Sequence, residues 1–196
     1  AAEVIFLKKF DPVTVIDALS ESTVMMGVPT HYIRLLDENQ FDRHICEDLR
    51  LFTSGSAPMT EHIHEVFYER TGHKILERYG MTEAGIITSN PLIGERVPGT
   101  VGFALPNMEL RVTQDGRECS AGEIGIVEVR GDHLFTGYWG QSKKTSASFQ
   151  KDGFFITGDI GWVDSGGRLS LQGRSKDIII SGGENIYPKE VELHLS

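Results

Sequence analysis

A change of texture near Pro98 limits what this 196-residue chain can fold into more than any other feature. Before it, apolar runs alternate with helix-like segments. Val4 to Leu7, Thr23 to Met26, Leu49 to Thr53 and Lys74 to Arg78 read as strands. Helices are expected from Asp11-Pro12, where Asp caps and Pro suits the first turn, over Tyr32 to Leu36, and after Thr60, with Ile63, Val66 and Phe67 on one face. Repeated strand–helix–strand order predicts a mostly parallel α/β subdomain over residues 1–97, with ligands at the carboxyl ends of strands, where Gly55 and Gly80 fall. From 98 to 173 the chain is Gly-rich. Short strands over Glu109–Thr113, Ile124–Arg130, Phe154–Ile156, Gly161–Val163 and Arg168–Gln172, with turns at Asp115-Gly116 and Asp164 to Gly167 and a helix from Ser142 to Phe149, predict a small antiparallel β-barrel subdomain. Residues 174–196 read as a linker, a strand over Ile178–Ser181, a Gly182-Gly183 turn and a helix opening at Pro188, the start of a third domain.

Composition removes several function classes. With 19 basic against 28 acidic residues the net charge is −9, which disfavours nonspecific nucleic-acid binding. Cys46 and Cys119 form no metal or disulfide pattern, so a reducing cytoplasm is the expected location. No apolar run approaches the ~20 residues of a membrane-spanning helix. A start at Ala1-Ala2-Glu3 and a stop at His194-Leu195-Ser196, inside a freshly opened helix, are expected to be cuts through a larger protein.

The chemistry concentrates in Leu76-Glu77-Arg78-Tyr79-Gly80-Met81-Thr82-Glu83-Ala84-Gly85. Strand alternation puts Glu77 and Tyr79 on one face and Arg78 on the other. Gly80 is expected to allow a sharp turn. Tyr79 offers an aromatic plate, Thr82 a hydroxyl, and Glu83 a carboxylate for a hard cation such as Mg2+. A nucleotide with its phosphates suits that set, and so does a buried tyrosine beside an ordinary turn. General nucleotide fingerprints are missing: there is no Walker loop at Thr53-Ser54-Gly55 and no dinucleotide fingerprint. His62 and His64, two apart on a helix, diverge and read as surface histidines.

Tyr79-Gly80-Met81-Thr82-Glu83 resembles the nucleotide-binding motif of the adenylate-forming acyl-CoA synthetases, and further blocks resemble that family in order. The resemblance implies that Gly55, Ser56, Ala57 and Pro58 line the adenine, that Glu77 and Tyr79 border and stack on it, that Thr82 meets the phosphates and that Glu83 holds Mg2+. Thr157-Gly158-Asp159 looks like the block whose aspartate holds the ribose hydroxyls. Gly173-Arg174-Ser175-Lys176-Asp177 looks like the hinge, with Arg174 at the ribose and Lys176 as pivot. Gly182 and Gly183 match a loop lining the CoA tunnel, and Gly122 to Gly125 with Gly137-Tyr138-Trp139 match blocks of mainly structural residues. ATP, Mg2+ and CoA are the implied cofactors, with Thr82 and Glu83 as catalytic residues. A phosphate loop ahead of residue 1 and a lid lysine beyond residue 196 belong to the family pattern, so this piece alone is expected to be inactive.

Arg78 narrows the acid. The malonyl-CoA synthetases carry Glu-Arg-Tyr-Gly-Met-Thr-Glu, as here, and a guanidinium at this position suits the distal carboxylate of a dicarboxylic acid through two parallel hydrogen bonds. A malonate-activating acid–CoA ligase is therefore the expected parent. The alternatives are a synthetase for another short or medium-chain acid and a noncatalytic nucleotide-binding module. The sequence sets no oligomeric state.

Overall fold

The structure is a computed structural model that describes residues 3–181, 184–187 and 191. Two compact units emerge, Ala1–Glu77 with Leu92–Pro98, and Arg78–Pro91 with Gly99–Ser196. This division departs from the expected boundary at residue 97, because Arg78–Pro91 clusters with the later sequence.

In the first unit, β1 (Val24–Gly27) pairs in parallel with β2 (Leu51–Ser54), which pairs in parallel with the start of β3 (Leu76–Met81). The parallel α/β expectation holds. The helices are α1 (Pro12–Leu19), α2 (Pro29–Leu36) and α3 (Glu61–Thr71). Asp11 caps α1 by accepting from the Thr14 amide, and Thr60 caps α3 by accepting from the Ile63 amide. Gly72, at φ 78°, ends α3 in the left-handed conformation that glycine adopts without strain. Tyr32, Phe41, Phe52 and Phe67 are fully buried. Phe67 packs edge-on to Phe52 and Tyr32 at 5.0 and 5.4 Å, contacts worth about 0.5–1.5 kcal/mol each beyond burial. The Tyr32 hydroxyl donates to the Thr53 carbonyl, so no polar atom of that ring is wasted.

Val4–Leu7 forms no strand. Val4 and Phe6 are 78% and 84% exposed, and no described strand offers this segment a hydrogen-bond ladder. Apolar composition alone does not make a strand without a paired edge.

In the second unit the rest of β3 runs antiparallel to β4 (Gly85–Ser89), which pairs with β5 (Phe103–Ala104). A separate antiparallel sheet has the order β10-β9-β8-β6-β7, built from β6 (Met108–Gln114), β7 (Arg117–Glu118), β8 (Gly125–Gly131), β9 (Phe155–Val163) and β10 (Leu169–Arg174). Asp115 and Gly116 both take positive φ, 53° and 77°, which makes the expected tight β6–β7 hairpin turn. A short helix α4 (Ser142–Ala147) lies between β8 and β9, and a hairpin pairs β11 (Ile179–Ser181) with β12 (Glu184–Ile186). The core of this unit joins Tyr79, Ala84, Ile87, Val127, Val129, Phe155 and Leu169.

Two expected strands, Phe154–Ile156 and Gly161–Val163, are one nine-residue strand, β9. Gly158 turns to φ 75° without ending it. The Thr157 hydroxyl spans the irregularity by donating to the Val127 carbonyl at 2.8 Å and accepting from the Asp159 amide at 3.0 Å. Thr157-Gly158-Asp159 is thus a bulge inside a strand, and a bulge re-aims the side chain that follows it. The helix expected from Pro188 lies outside the described residues apart from Val191, as do Gly182 and Gly183. Among the described residues no helix is long and apolar enough to cross a membrane.

Candidate active site

In the first unit, β2 ends at Ser54 and the chain enters the loop Gly55-Ser56-Ala57-Pro58. Ser56, Ala57 and Pro58 are exposed, and Ser56 holds φ 67°, a left-handed conformation that costs a non-glycine residue on the order of 1–3 kcal/mol. Just past the loop the Met59 amide donates to Glu77 Oε2 at 3.3 Å, and His64 Nε2 lies 2.7 Å from Glu77 Oε1. Glu77 and His64 are 4% and 7% exposed. The surface reading of His64 is therefore wrong. A residue two positions from His62 on α3 faces inward, and a buried carboxylate opposite supplies the partner that burial of an imidazole requires.

In the second unit, burial follows the expected alternation: Tyr79 is buried and Arg78 half-buried. Gly80 does not make the turn. β3 continues through it to Met81 with a register shift between Tyr79 and Gly80, and a Cβ there would stand 2.2 Å from the Gly85 carbonyl oxygen. Close approach of two strands demands the glycine. The turn itself is Thr82-Glu83-Ala84, closed by the Ala84 amide donating to the Met81 carbonyl at 3.1 Å. Thr82 is exposed and Glu83 half-exposed. Arg78 stands directly across the ladder from Ser89.

The bulge in β9 aims Asp159 at Tyr79. The Tyr79 hydroxyl donates to Asp159 Oδ2, and Arg174 Nε, at the end of β10, lies 2.9 Å from Asp159 Oδ1. Burial is the main influence on both titrating groups. It raises the Tyr79 hydroxyl, with the Asp159 charge adding to it. It also raises the Asp159 carboxyl, aided by the Glu83 charge and opposed by Tyr79 and Arg174. Lys176 sits exposed in the Ser175–Asp177 turn that follows β10.

Sequence reasoning missed the partner of Glu83. The Tyr138 hydroxyl donates to Glu83 Oε1 at 3.0 Å, and the Phe135 amide donates to the Glu83 carbonyl at 2.8 Å. Gly137-Tyr138-Trp139 read as a block of mainly structural residues, and 55 residues separate Tyr138 from Glu83. A lone half-exposed carboxylate fits Mg2+, which keeps most of its waters and takes one or two protein carboxylates plus phosphate oxygens. Among the described residues no group of three or more acidic, His or Cys side chains forms a dedicated cage.

The model of the AMP-binding enzyme family matches residues 1–139. A malonate–CoA ligase of Arabidopsis thaliana is 40% identical over 182 residues, covering 88% of this chain and 30% of the relative. A long-chain-fatty-acid–CoA ligase of Bacillus subtilis is 35% identical over 195 residues, covering 97% of this chain and 35% of the relative. Among solved structures, ATP-bound MatB from Rhodopseudomonas palustris superposes with a TM-score of 0.93 at 49% identity, covering 96% of this chain and 38% of that one. The AMP complex of O-succinylbenzoate coenzyme A synthetase from Bacillus subtilis gives 0.83 at 32% identity, covering 94% and 38%. The chain thus spans about a third of the length of the curated relatives it matches.

Proposed function

The chain belongs to the AMP-binding enzyme family, and from that premise we propose that it is part of an AMP-forming acid–CoA ligase whose acid is malonate. The observation that carries the proposal is the meeting of Tyr79, Asp159 and Arg174, which comes from three separate sequence blocks. A buried carboxylate with aromatic and guanidinium neighbours suits a ribose diol, since one carboxylate accepts from two hydroxyls.

In this reading the Tyr79 ring bears the base, Asp159 and Arg174 hold the ribose, and the exposed Thr82 hydroxyl donates to a phosphate. In the first unit, Gly55, Ser56, Ala57, Pro58 and Glu77 serve the adenine. Mg2+ on Glu83 would neutralise negative charge on the phosphates as pyrophosphate leaves. Arg78 takes the distal carboxylate of malonate. A second step passes the acyl group to CoA after a rotation about Lys176, with Gly182 and Gly183 in the CoA tunnel. Residues 1–97, 98–173 and 174–196 are the proposed functional divisions of the parent, and the cytoplasm is its proposed location.

The malonate assignment is supported by the malonate–CoA ligase likeness, while the fatty-acid ligase at 35% identity keeps a different acid as the second reading. ATP–pyrophosphate exchange by the full-length parent, with malonate, acetate and a long-chain fatty acid in parallel, tests it. Exchange driven by malonate well above the other acids is expected. A preference for the fatty acid overturns the malonate assignment, and no exchange with any acid overturns the ligase.

A further inference from the structure

We propose that Tyr138 is a positioning residue that fixes the Glu83 carboxylate, so that one oxygen is held by the protein and the other is presented to the cation. The inference rests on the reading of Glu83 as the metal carboxylate.

Glu83 sits in a three-residue turn, half-exposed, with three side-chain torsions to restrain. An unrestrained glutamate loses rotamer freedom when a ligand orders it. Here the restraint is built in. Tyr138 donates to Oε1 at 3.0 Å, and the turn itself is pinned where the Phe135 amide donates to the Glu83 carbonyl. No other hydrogen bond to the carboxylate occurs among the described residues.

Tyr138 is itself held on several sides. Its backbone amide donates to Thr145 Oγ1 at 2.9 Å, and Thr145 Oγ1 donates in turn to the Gln141 carbonyl at 3.1 Å. Gly137, at φ 149°, lets the chain pass Thr145, since a Cβ there would stand 2.7 Å from Thr145 Cγ2. The ring packs edge-on to Phe135 at 4.8 Å, and Lys144 Nζ lies over it, 3.9 Å from its centroid. A cation on the ring face draws electron density from the phenol and strengthens its O–H as a donor. The segment from Phe135 to Thr145 is therefore a bracket around one carboxylate. Metal sites use such outer partners to orient their ligands, and losing one typically costs about 10- to 100-fold in metal affinity.

The test uses the full-length parent, with Mn2+ as the probe and a nonhydrolysable ATP analogue limiting and fully protein-bound. Electron paramagnetic resonance reads bound Mn2+. Tyr138→Phe keeps the ring, its Phe135 contact and its Lys144 cap while deleting only the hydroxyl. We expect Mn2+ to bind about 10- to 100-fold more weakly, metal-free AMP affinity to stay within about twofold, and the Tyr138→Phe effect to vanish in a Glu83→Gln background. If Glu83→Gln weakens Mn2+ binding and Tyr138→Phe does not, the positioning role is overturned while the reading of Glu83 stands. If Glu83→Gln itself leaves Mn2+ affinity unchanged, both fall. Should Tyr138→Phe melt far below the wild type, Thr145→Val loosens the same bracket from its backbone side. A loss of a few-fold in Mn2+ affinity supports the role, and an unchanged affinity overturns it.

Discussion

Tyr79 donates its hydroxyl to Asp159 across 80 residues of sequence, joining the turn motif on β3 to the bulge in β9. Each of the two explains the burial of the other. Asp159, 5% exposed, gains a donor besides Arg174, and the phenol of Tyr79 gains an acceptor inside an otherwise apolar core.

That mutual dependence changes what an Asp159 substitution measures. Asp159→Ala removes the proposed ribose acceptor and also leaves the Tyr79 hydroxyl buried without its partner, at a cost of about 1–3 kcal/mol in stability. Asp159→Asn keeps an acceptor for Tyr79 and removes only the charge. A hydrogen bond to a charged group contributes about 1.5–3 kcal/mol, so Asp159→Asn in the full-length parent is expected to bind AMP roughly 10- to 150-fold more weakly with a near-normal melting temperature. Calorimetry showing wild-type AMP affinity in the folded Asn variant would remove Asp159 from the nucleotide site.

The same pair sets a pH dependence. Burial, seconded by the Glu83 charge, raises the Asp159 carboxyl above 3.8 in the folded protein, against the pull of Tyr79 and Arg174. A carboxyl raised on folding contributes stability that is complete below its unfolded value and is lost as pH rises through its folded value. Tyr79→Phe deletes one of the influences holding that value down, so the loss extends to higher pH. The variant is expected to fall further behind the wild type as pH rises from ~4 toward neutrality, read from urea midpoints. A difference that stays constant across this range would mean the hydroxyl does not act on Asp159.

His64 and Glu77 form a second buried pair, with the Met59 amide on the other carboxylate oxygen. His64→Leu fills most of the space while leaving Glu77 short of a partner, and is expected to destabilise the protein by about 1–3 kcal/mol. Glu77→Gln with His64 intact should cost less, because the amide still accepts and donates. Equal melting temperatures for His64→Leu and the wild type would show that the pair contributes nothing to the fold.

Two glycines with nearly the same φ separate backbone strain from close approach. Gly102 (φ 76°) has no room for a Cβ, which would lie 2.1 Å from the Ser89 carbonyl oxygen and 2.2 Å from the Asn90 nitrogen. Gly122 (φ 84°) faces open space. Gly122→Ala is expected to cost about 1 kcal/mol of conformational strain and Gly102→Ala 3 kcal/mol or more, because backbone must move. Melting temperatures of the two variants within a degree of each other would contradict the packing at Ser89.

The sequence was legible where local chemistry decides structure. The caps at Asp11 and Thr60, the glycine end of α3, the Asp115-Gly116 turn and the alternation of Arg78 and Tyr79 all follow from neighbouring residues. It was illegible where a distant partner decides. His64 looked like a surface residue until Glu77 stood opposite it. Thr157-Gly158-Asp159 looked like a break until the Thr157 hydroxyl was seen to span it. Tyr138 looked structural because Glu83 lies 55 residues away. Val4–Leu7 failed in the other direction, since apolar residues that read as a strand have no ladder among the described residues.

Arg78 carries the proposed choice of acid. It is half-buried, on the face of β3 away from Tyr79, and its cross-strand neighbour is Ser89, so it occupies a partly dry position beside a small polar side chain. A planar guanidinium there matches a carboxylate with two parallel hydrogen bonds and is poorly suited to a hydrocarbon chain. Arg78→Ala in the full-length parent is therefore expected to lower kcat/KM for malonate far more than for propionate, because only malonate has a second carboxylate left without a partner. Removing one member of a buried charge pair costs about 3–5 kcal/mol, a loss of several hundred-fold or more in kcat/KM. Propionate should lose little. Arg78→Lys keeps the charge without the planar fork and is expected to recover only part of the malonate rate. Equal losses on the two acids would make Arg78 a structural residue of β3, and the malonate assignment would then have no residue to stand on.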